Sequence, residues 1–469
     1  MDFSSTHLLL DGAHLPRLEG AVPRVRPGGK LTEPVIEGRE PWQDVDADPR
    51  AYVYGTALAD RQGGYRLWYN RFHHDVLCAA SADGLTWLRP GLDAAGDDGG
   101  GGDRAGGGAL LNVEFHSPSV IRDDRAEPEQ RYKMLGYRRV PEGRGYWVAH
   151  SADGLDWQYY PRNPVLEGGD TCTLSHDPAT GQFLAFYKLN SEVRGHSRRL
   201  VYLSTSSDMQ SWSEPELVMA PDEEDDERTR ASGGICSHIY NMSAFRYGDQ
   251  WLGLVTHFAL MRVSDETGPN QSGHDGPIEA QLVHSRDGRT WRRCGDRSPL
   301  IANGPHEYDA GCILGVANQP VAAGDQMWLY YTAINTTHGG AIPPKQVAVA
   351  RASWPRDRWV SLDAGSGGAV AETEPVRLGD GAITVNAEAR DGEVRVEVTD
   401  AAGAALPGFE AASCVPLRGD HLRHPVRWSG QGKAPADRPV RLRFLWENAS
   451  LYSWRADTEA PPDVTKTRR

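Results

Sequence analysis

The chain has 469 residues, of which 39% are apolar, with 52 glycines, 31 prolines, 14 tryptophans and 17 tyrosines. That mixture suits many short strands joined by turns and argues against long helices. A net charge of −14 repels phosphate backbones, so nucleic acid is excluded as an expected partner and a neutral or cationic ligand is favoured. No stretch approaches the roughly 20 apolar residues of a membrane span.

The first 20 residues have no basic stretch, and their apolar run is only Leu8 to Leu10. They do not read as a secretory signal, and a cytoplasmic protein is expected. The six cysteines form no CxxC pair, which predicts reduced, mostly buried thiols.

A short pattern, S-x-D-G-x-x-W, then recurs along the chain. Its copies are Ser81 to Trp87, Ser151 to Trp157, Ser206 to Trp212 and Ser285 to Trp291, with Met209 standing in for the glycine of the third. Successive tryptophans are 70, 55 and 79 residues apart, which suits propeller blades of four short strands with loops of variable length. Asp-Gly between apolar strands is a tight hairpin turn, and the tryptophan supplies a large apolar body to pack between neighbouring sheets. A buried strand precedes each copy: Tyr65–Tyr69, Tyr132–Gly136, Phe183–Tyr187 and Trp251–Val255. A fifth repeat, Met327–Tyr331 followed by Gln346–Arg351, lacks the box and runs into Trp354, Trp359 and Asp363. The reading is an all-β protein: a five-bladed β-propeller over 1–362, closed so that no sheet edge is exposed.

Two insertions interrupt the repeats. Residues 94–108 read as a Gly/Asp loop and 221–230 as a charged surface loop. After Asp363 a glycine linker leads to alternating segments around Val394–Val398 and Arg441–Trp446, predicting a small C-terminal β-sandwich over 363–457 and a frayed tail over 458–469.

Innermost propeller strands line a funnel, so polar residues just before them are the site candidates. In chain order these are Asp44, Asp46 and Asp48; Glu114 and His116; Asp170; His238, Tyr240 and Asn241; and Glu307, Tyr308 and Asp309. Polar residues at five equivalent strand starts imply a wet cavity. Gly168 and Gly169 let backbone approach closely at Asp170. Glu307 and Asp309, two apart, share one face of an extended strand, and such a pair raises one pKa as a general acid requires. His257 and His338 follow the second strands of their blades and rim the funnel. The histidines show no zinc-type spacing, so no metal is expected.

The S-x-D-G-x-x-W turns resemble the Asp-box of sialidases, shortened by one residue. With five repeats and a trailing sandwich, the chain resembles glycoside hydrolase families 32, 43 and 68. It is similar to bacterial family 32-like proteins of unproven activity through Asp170–Leu174 with Asp177–Gly181, Trp359–Asp363, His424–Trp428 and Leu451–Trp454. The family 32 signature W-M-N-D-P-N-G is absent, and Pro41, Trp42 and Asp44 stand near its place; His116 to Ser119 stand where the family has R-D-P, and the E-C pair is missing.

The ring of acids and aromatics at these strand starts points to a glycosidase-like enzyme acting on a glycoside or small sugar conjugate, with no cofactor, and the resemblance leaves room for a central calcium ion. Asp44 and Asp170 are then base or transition-state stabiliser, and Glu307 or Asp309 the acid. Trp42, Asp46, His116, His238, Tyr240, Asn241, His257 and His338 bind substrate. The alternative is a non-hydrolytic propeller, either a carbohydrate-binding protein or an acid/base lyase or cyclase. Two funnel carboxyls about 5 to 9.5 Å apart suit glycoside cleavage, whereas a single carboxylate facing a histidine suits proton transfer.

Overall fold

The computed structural model describes residues 6–37, 50–88 and 110–456, apart from 62, 72, 73, 142, 269, 270, 342 and 343. Trp42, Asp44, Asp46, Asp48 and the 94–108 insertion lie outside the described residues. Within them the molecule is almost all β, as expected.

Five antiparallel ladders follow one another along the chain. The first runs Ala51–Ala59, Tyr65–Arg71, Asp75–Ser81 and Leu110–Glu114; the second His116–Arg122, Tyr132–Val140, Gly143–Ser151 and Gln158–Tyr159. The third is Cys172–His176, Phe183–Val193, His196–Ser206 and Glu216–Met219. The fourth holds Cys236–Tyr247, Gln250–Leu260 and Ile278–Ser285 with two short outer strands. The fifth holds Cys312–Val316, Gln326–Ile334 and Val347–Pro355, and its outer strand, Gly29–Lys30, comes from near the N-terminus. One parallel pair, Ile278 with Cys312, joins the last two ladders into a ten-stranded sheet.

The first strands neighbour one another in order. Small hydroxyl side chains let them approach and hold them: Thr56 Oγ1 donates to the Val120 carbonyl (2.7 Å) and Thr173 Oγ1 to that of Met242 (2.6 Å). Ser119 Oγ accepts from the Leu174 amide (2.8 Å), and Ser243 Oγ donates to the Val316 carbonyl (2.6 Å). The cycle returns where the Asn318 amide donates to the Gly55 carbonyl (2.7 Å), while its side-chain amide reaches the carbonyls of Val120 and Leu174.

The repeated turns explain how the ladders pack. In each, the serine hydroxyl accepts from backbone amides of the turn and one aspartate oxygen accepts from the next two; for the first copy these are Gly84 to Ser81, and Leu85 and Thr86 to Asp83, all 2.8 Å. Trp157 packs with Trp68, Val76 and Met134 between the first two ladders, and Trp87 packs with Tyr330 and Val349 between the fifth and first. Met209 adopts the glycine conformation of its turn (φ 66°) and fills the core between the second and third ladders, which offsets the backbone cost.

Residues 223–231 differ from the expected loop. They form a helix, α1 (Glu223–Ala231), whose N-terminus is closed by reciprocal bonds between Asp222 and Asp225. Four acids in its first turn and arginines in its last complement the helix dipole. Its buried carboxylates are paired, Asp226 with Arg198 (2.6 Å) and Asp225 with Arg293 (2.6 Å), so the run clamps the third ladder to the fourth instead of floating in solvent.

The C-terminal region is one continuous nine-stranded sheet curled round its own apolar core, its two faces joined through the long strand Thr384–Thr399. The N-terminal strands Thr6–Leu8, Arg17–Glu19 and Val22–Val25, expected within the 1–362 unit, hydrogen-bond to this sheet. All six cysteines are buried and unpaired. Among the described residues, no helix is long and apolar enough to cross a membrane.

Candidate functional site

Antiparallel pairing places the start of each first strand, the end of the second and the start of the third at the same end of a ladder. Cys172 pairs with Tyr187, and the Phe183–Val193 strand turns back at His196. Residues far apart in sequence therefore meet there. Tyr52 and Tyr54, two apart on one strand face, stack at 6.1 Å, and Tyr54 meets the His116 ring at 5.4 Å. Tyr54 and Tyr240 act electrostatically on one another. Tyr240 meets His338 at 5.1 Å, and His238 meets Phe258 at 5.6 Å and His274 at 6.2 Å.

Asp170 sits in this group, paired with Lys188. Its Oδ1 is buried although the side chain is 46% exposed, so the open part of the carboxyl is its other oxygen. Burial pushes the carboxyl upward, but Lys188, His116 and Arg199 outweigh it and hold Asp170 at about 2. Burial pulls the Lys188 ammonium below its ordinary value, opposed by Asp170 and assisted by Arg199. The ammonium also lies 4.5 Å from the centre of the Tyr240 ring.

The glycines before Asp170 serve this pairing. Gly168 (φ 137°) has no room for a Cβ beside Leu189, and one on Gly169 would stand 2.8 Å from the Lys188 carbonyl. They bring the chain against the Lys188 backbone. Asp177 closes a turn through the Ala179 amide and Thr180 hydroxyl, as its D-P-x-T-G context predicts.

The imidazoles of His238 and His338 are held neutral. Burial first, then Arg199, pushes His238 down to about 3; burial also pushes His338 down to about 3, with Arg199, Lys345 and Lys188 adding to it. Tyr54 and Tyr240 are raised, by burial first and also by the Asp170 charge, so both keep their protons and can donate. An ionised carboxylate this acidic is a weak base. It suits nucleophilic attack or charge stabilisation better than proton delivery.

Of the expected residues, His116, Asp170, His238, Tyr240 and His338 come together here. Glu307 and Asp309 do not share a strand face: they lie in a 3₁₀ turn, Glu307 exposed and Asp309 fully buried. Asp309 pairs with Lys30 (2.6 Å) and accepts from the Tyr331 hydroxyl (3.1 Å). His257 turns to the Ser237 hydroxyl (3.0 Å) near α1. Asn241 is buried at a bulge, where the Thr256 hydroxyl engages its backbone. Glu114 is exposed, with Arg138 at 3.5 Å. Trp42, Asp44, Asp46 and Asp48 lie outside the described residues.

Lys188, Arg199, Tyr52, Tyr54, Phe258 and Lys345 were not anticipated. Lys188, Arg199, Phe258 and Lys345 lie on or beside second and third strands, which examining only the residues just before first strands leaves out, and Tyr52 and Tyr54 lie within a first strand. Among the described residues, no cluster of three or more His, Cys, Asp or Glu could hold a metal ion.

No family model matches the chain. No curated protein matches it either. Among solved structures, an N-acetylgalactosamine deacetylase from F. plautii in complex with blood group B trisaccharide is similar over 72% of this chain and 96% of its own, at 14% identity and a TM-score of 0.44. A Bombyx mori GH32 beta-fructofuranosidase is similar over 92% and 95%, at 10% identity and TM-score 0.40. An exo-inulinase from Aspergillus awamori is similar over 91% and 99%, at 12% identity and TM-score 0.39.

Proposed function

We propose that the chain is a glycosidase-like enzyme, its five ladders the blades of a propeller with a C-terminal sandwich, acting on a glycoside or small sugar conjugate in the central funnel. A single parallel residue pair linking the fourth and fifth ladders supports reading them as separate blades. The observation that carries the function is Asp170: an ionised carboxylate with one oxygen open, within electrostatic reach of Tyr54, Tyr240 and His116. Aromatic faces and hydroxyl donors around a fixed negative charge suit a sugar ring whose anomeric carbon becomes cationic as the bond breaks.

In this reading Asp170 is the nucleophile or stabiliser. The proton comes from the acidic run of Asp44, Asp46 and Asp48, with Asp44 as first choice; it enters the chain just ahead of Arg50, whose guanidinium lies 5.9 Å from the Tyr52 ring. Glu307 and Asp309 have no part in it, since one faces solvent and the other is held by Lys30. The test is a panel of aryl arabinofuranosides, fructofuranosides, xylosides and sialosides with wild type, Asp170→Asn and Asp44→Asn. Turnover with losses of about 10²–10⁴-fold in both variants is expected. Turnover unaffected by Asp170→Asn would remove the assignment.

A second reading is favoured by one observation: among the described residues Asp170 is the carboxylate that reaches both His116 and Tyr240. A single carboxylate facing a histidine suits the proton transfers of a lyase or cyclase. Release of an unsaturated product without incorporation of solvent oxygen would select it.

A further inference from the structure

Among the described residues, basic side chains gather around Tyr240 and His338 in a chain of net charge −14. Arg199 is the unusual member. Neighbouring arginines each meet an aspartate: Arg194 and Arg198 meet Asp226, and Arg293 and Arg297 meet Asp225. Arg199 has no carboxylate within ion-pair distance among the described residues. Its guanidinium lies 5.6 Å from the centre of Tyr240 and 5.5 Å from that of Phe258, and its Nη1 is 3.3 Å from His238 Nδ1. Two rings and an imidazole hold a half-buried planar fork with donors to spare.

Lys345 adds to this charge. Its side chain is buried, and its Nζ donates to the His338 carbonyl (2.6 Å), not to an acid. Lys188, Arg199 and Lys345 all act electrostatically on His338. The carboxylates nearby do not balance them. Asp170 answers Lys188, and Asp275 is held by Arg262 (2.8 Å) and the Gly339 amide (2.9 Å). Among the described residues, Lys188, Arg199 and Lys345 thus face one carboxylate not already held elsewhere, Asp170. Burial is the main reason His238 and His338 are depressed, with Arg199 adding to both and Lys345 and Lys188 to His338.

We propose that the funnel takes an anionic sugar, with the substrate's carboxylate or phosphate seated on Arg199 and Lys345 behind it. Asp170 then faces the reacting carbon. The inference rests on the sugar-processing reading of the site. It reverses the preference for neutral or cationic ligands drawn from total charge, because a local patch outweighs the average within a screening length of about 8–10 Å.

The test is ground-state binding by calorimetry with the full chain, which needs no turnover. Methyl glucuronide and methyl galacturonide are compared with methyl glucoside and methyl galactoside, and glucose 6-phosphate forms a third arm. At least one acidic ligand is expected to bind about tenfold or more tightly than its neutral partner, with the advantage shrinking as salt rises. Arg199→Gln is expected to remove most of that advantage, with circular dichroism and the thermal melt showing that the variant is folded. Arg199→Lys, keeping charge without the fork, is expected to retain part of it and serves if the glutamine variant does not fold. A glucuronide bound more tightly than the phosphate assigns the anion as carboxylate, and the reverse order as phosphate. Equal affinity for acidic and neutral sugars, no binding of any acidic ligand, or a preference unchanged in both Arg199 variants would overturn the inference. Failure of the hydrolytic reading, by contrast, shows as absent turnover with the acid preference intact.

Discussion

Lys188 places its ammonium against Asp170 from the middle of the neighbouring strand Phe183–Val193, and the pair is buried on the lysine side and open on the aspartate side. The lysine therefore sets the charge state of the carboxylate. Burial is already the largest single influence on Asp170, and without Lys188 only His116 and Arg199 oppose it, so its pKa rises from about 2. Lys188→Met is expected to move the acid limb of the kcat/KM profile to higher pH and to lower kcat about 10²-fold at neutral pH. The sign for stability agrees: a carboxylate depressed in the folded state contributes stability above pH of about 4, lost as pH falls towards 2. A limb that stays in place in Lys188→Met would show that Asp170 does not govern it.

Asp309 is a second paired carboxylate with a different expected behaviour. It is fully buried with Lys30 and Tyr331, among apolar residues of the fourth and fifth ladders. Asp309→Ala leaves the Lys30 charge without its acid, which costs about 3–5 kcal/mol. A large fall in Tm with kcat/KM nearly intact at low temperature is expected. A variant of unchanged Tm and abolished turnover would return Asp309 to the reaction.

The contrast between these aspartates shows what was legible in the sequence. The strand pattern and repeated turn were plain, because Ser, Asp, Gly and Trp at fixed offsets each perform a local task. Asp170 and His116 were found because they precede first strands. Asp309 was misread because an extended strand was assumed where Glu307, Tyr308 and Asp309 form a 3₁₀ turn. Lys30, its partner, lies 279 positions away, and no local pattern announces such a contact. The α1 run was misread because Arg198 and Arg293, which desolvate Asp226 and Asp225, are equally remote. The box of Asp222 and Asp225 around its first turn was a local signal that could have been used.

The neutral imidazoles predict an acid sensitivity. His238 and His338 titrate near 3 when folded but near 6.5 when unfolded. The unfolded chain thus binds more protons as pH falls from about 6.5, and stability drops by up to about 1.4 kcal/mol per pH unit per group until about pH 3. Above pH 6.5 they contribute no slope. His338 Nδ1 donates to the His274 carbonyl (2.8 Å), a bond that a glutamine amide can copy. His338→Gln is expected to flatten the dependence of Tm on pH between 6.5 and 4. An identical slope in the variant would show that His338 titrates normally in the folded protein.

The repeated turns are expected to act on the joints between ladders and leave the chemistry alone. Asp153 Oδ1 accepts from the amides of Leu155 (2.8 Å) and Asp156 (3.0 Å), fixing a turn whose Gly154 carbonyl receives both Trp157 Nε1 (3.1 Å) and Trp68 Nε1 (2.9 Å). Trp68 belongs to the first ladder and Trp157 to the second, so one carbonyl ties the two sheets. Asp153→Ala frees two amides and loosens that carbonyl, for a cost of about 1–2 kcal/mol. Asp153→Asn keeps an acceptor and should cost less. Chemical denaturation of both variants, with kcat/KM measured at a temperature where each is folded, is expected to show graded loss of stability and unchanged kinetics. A kinetic defect in Asp153→Ala without a stability defect would mean that this turn, at the end opposite Asp170, is coupled to the site.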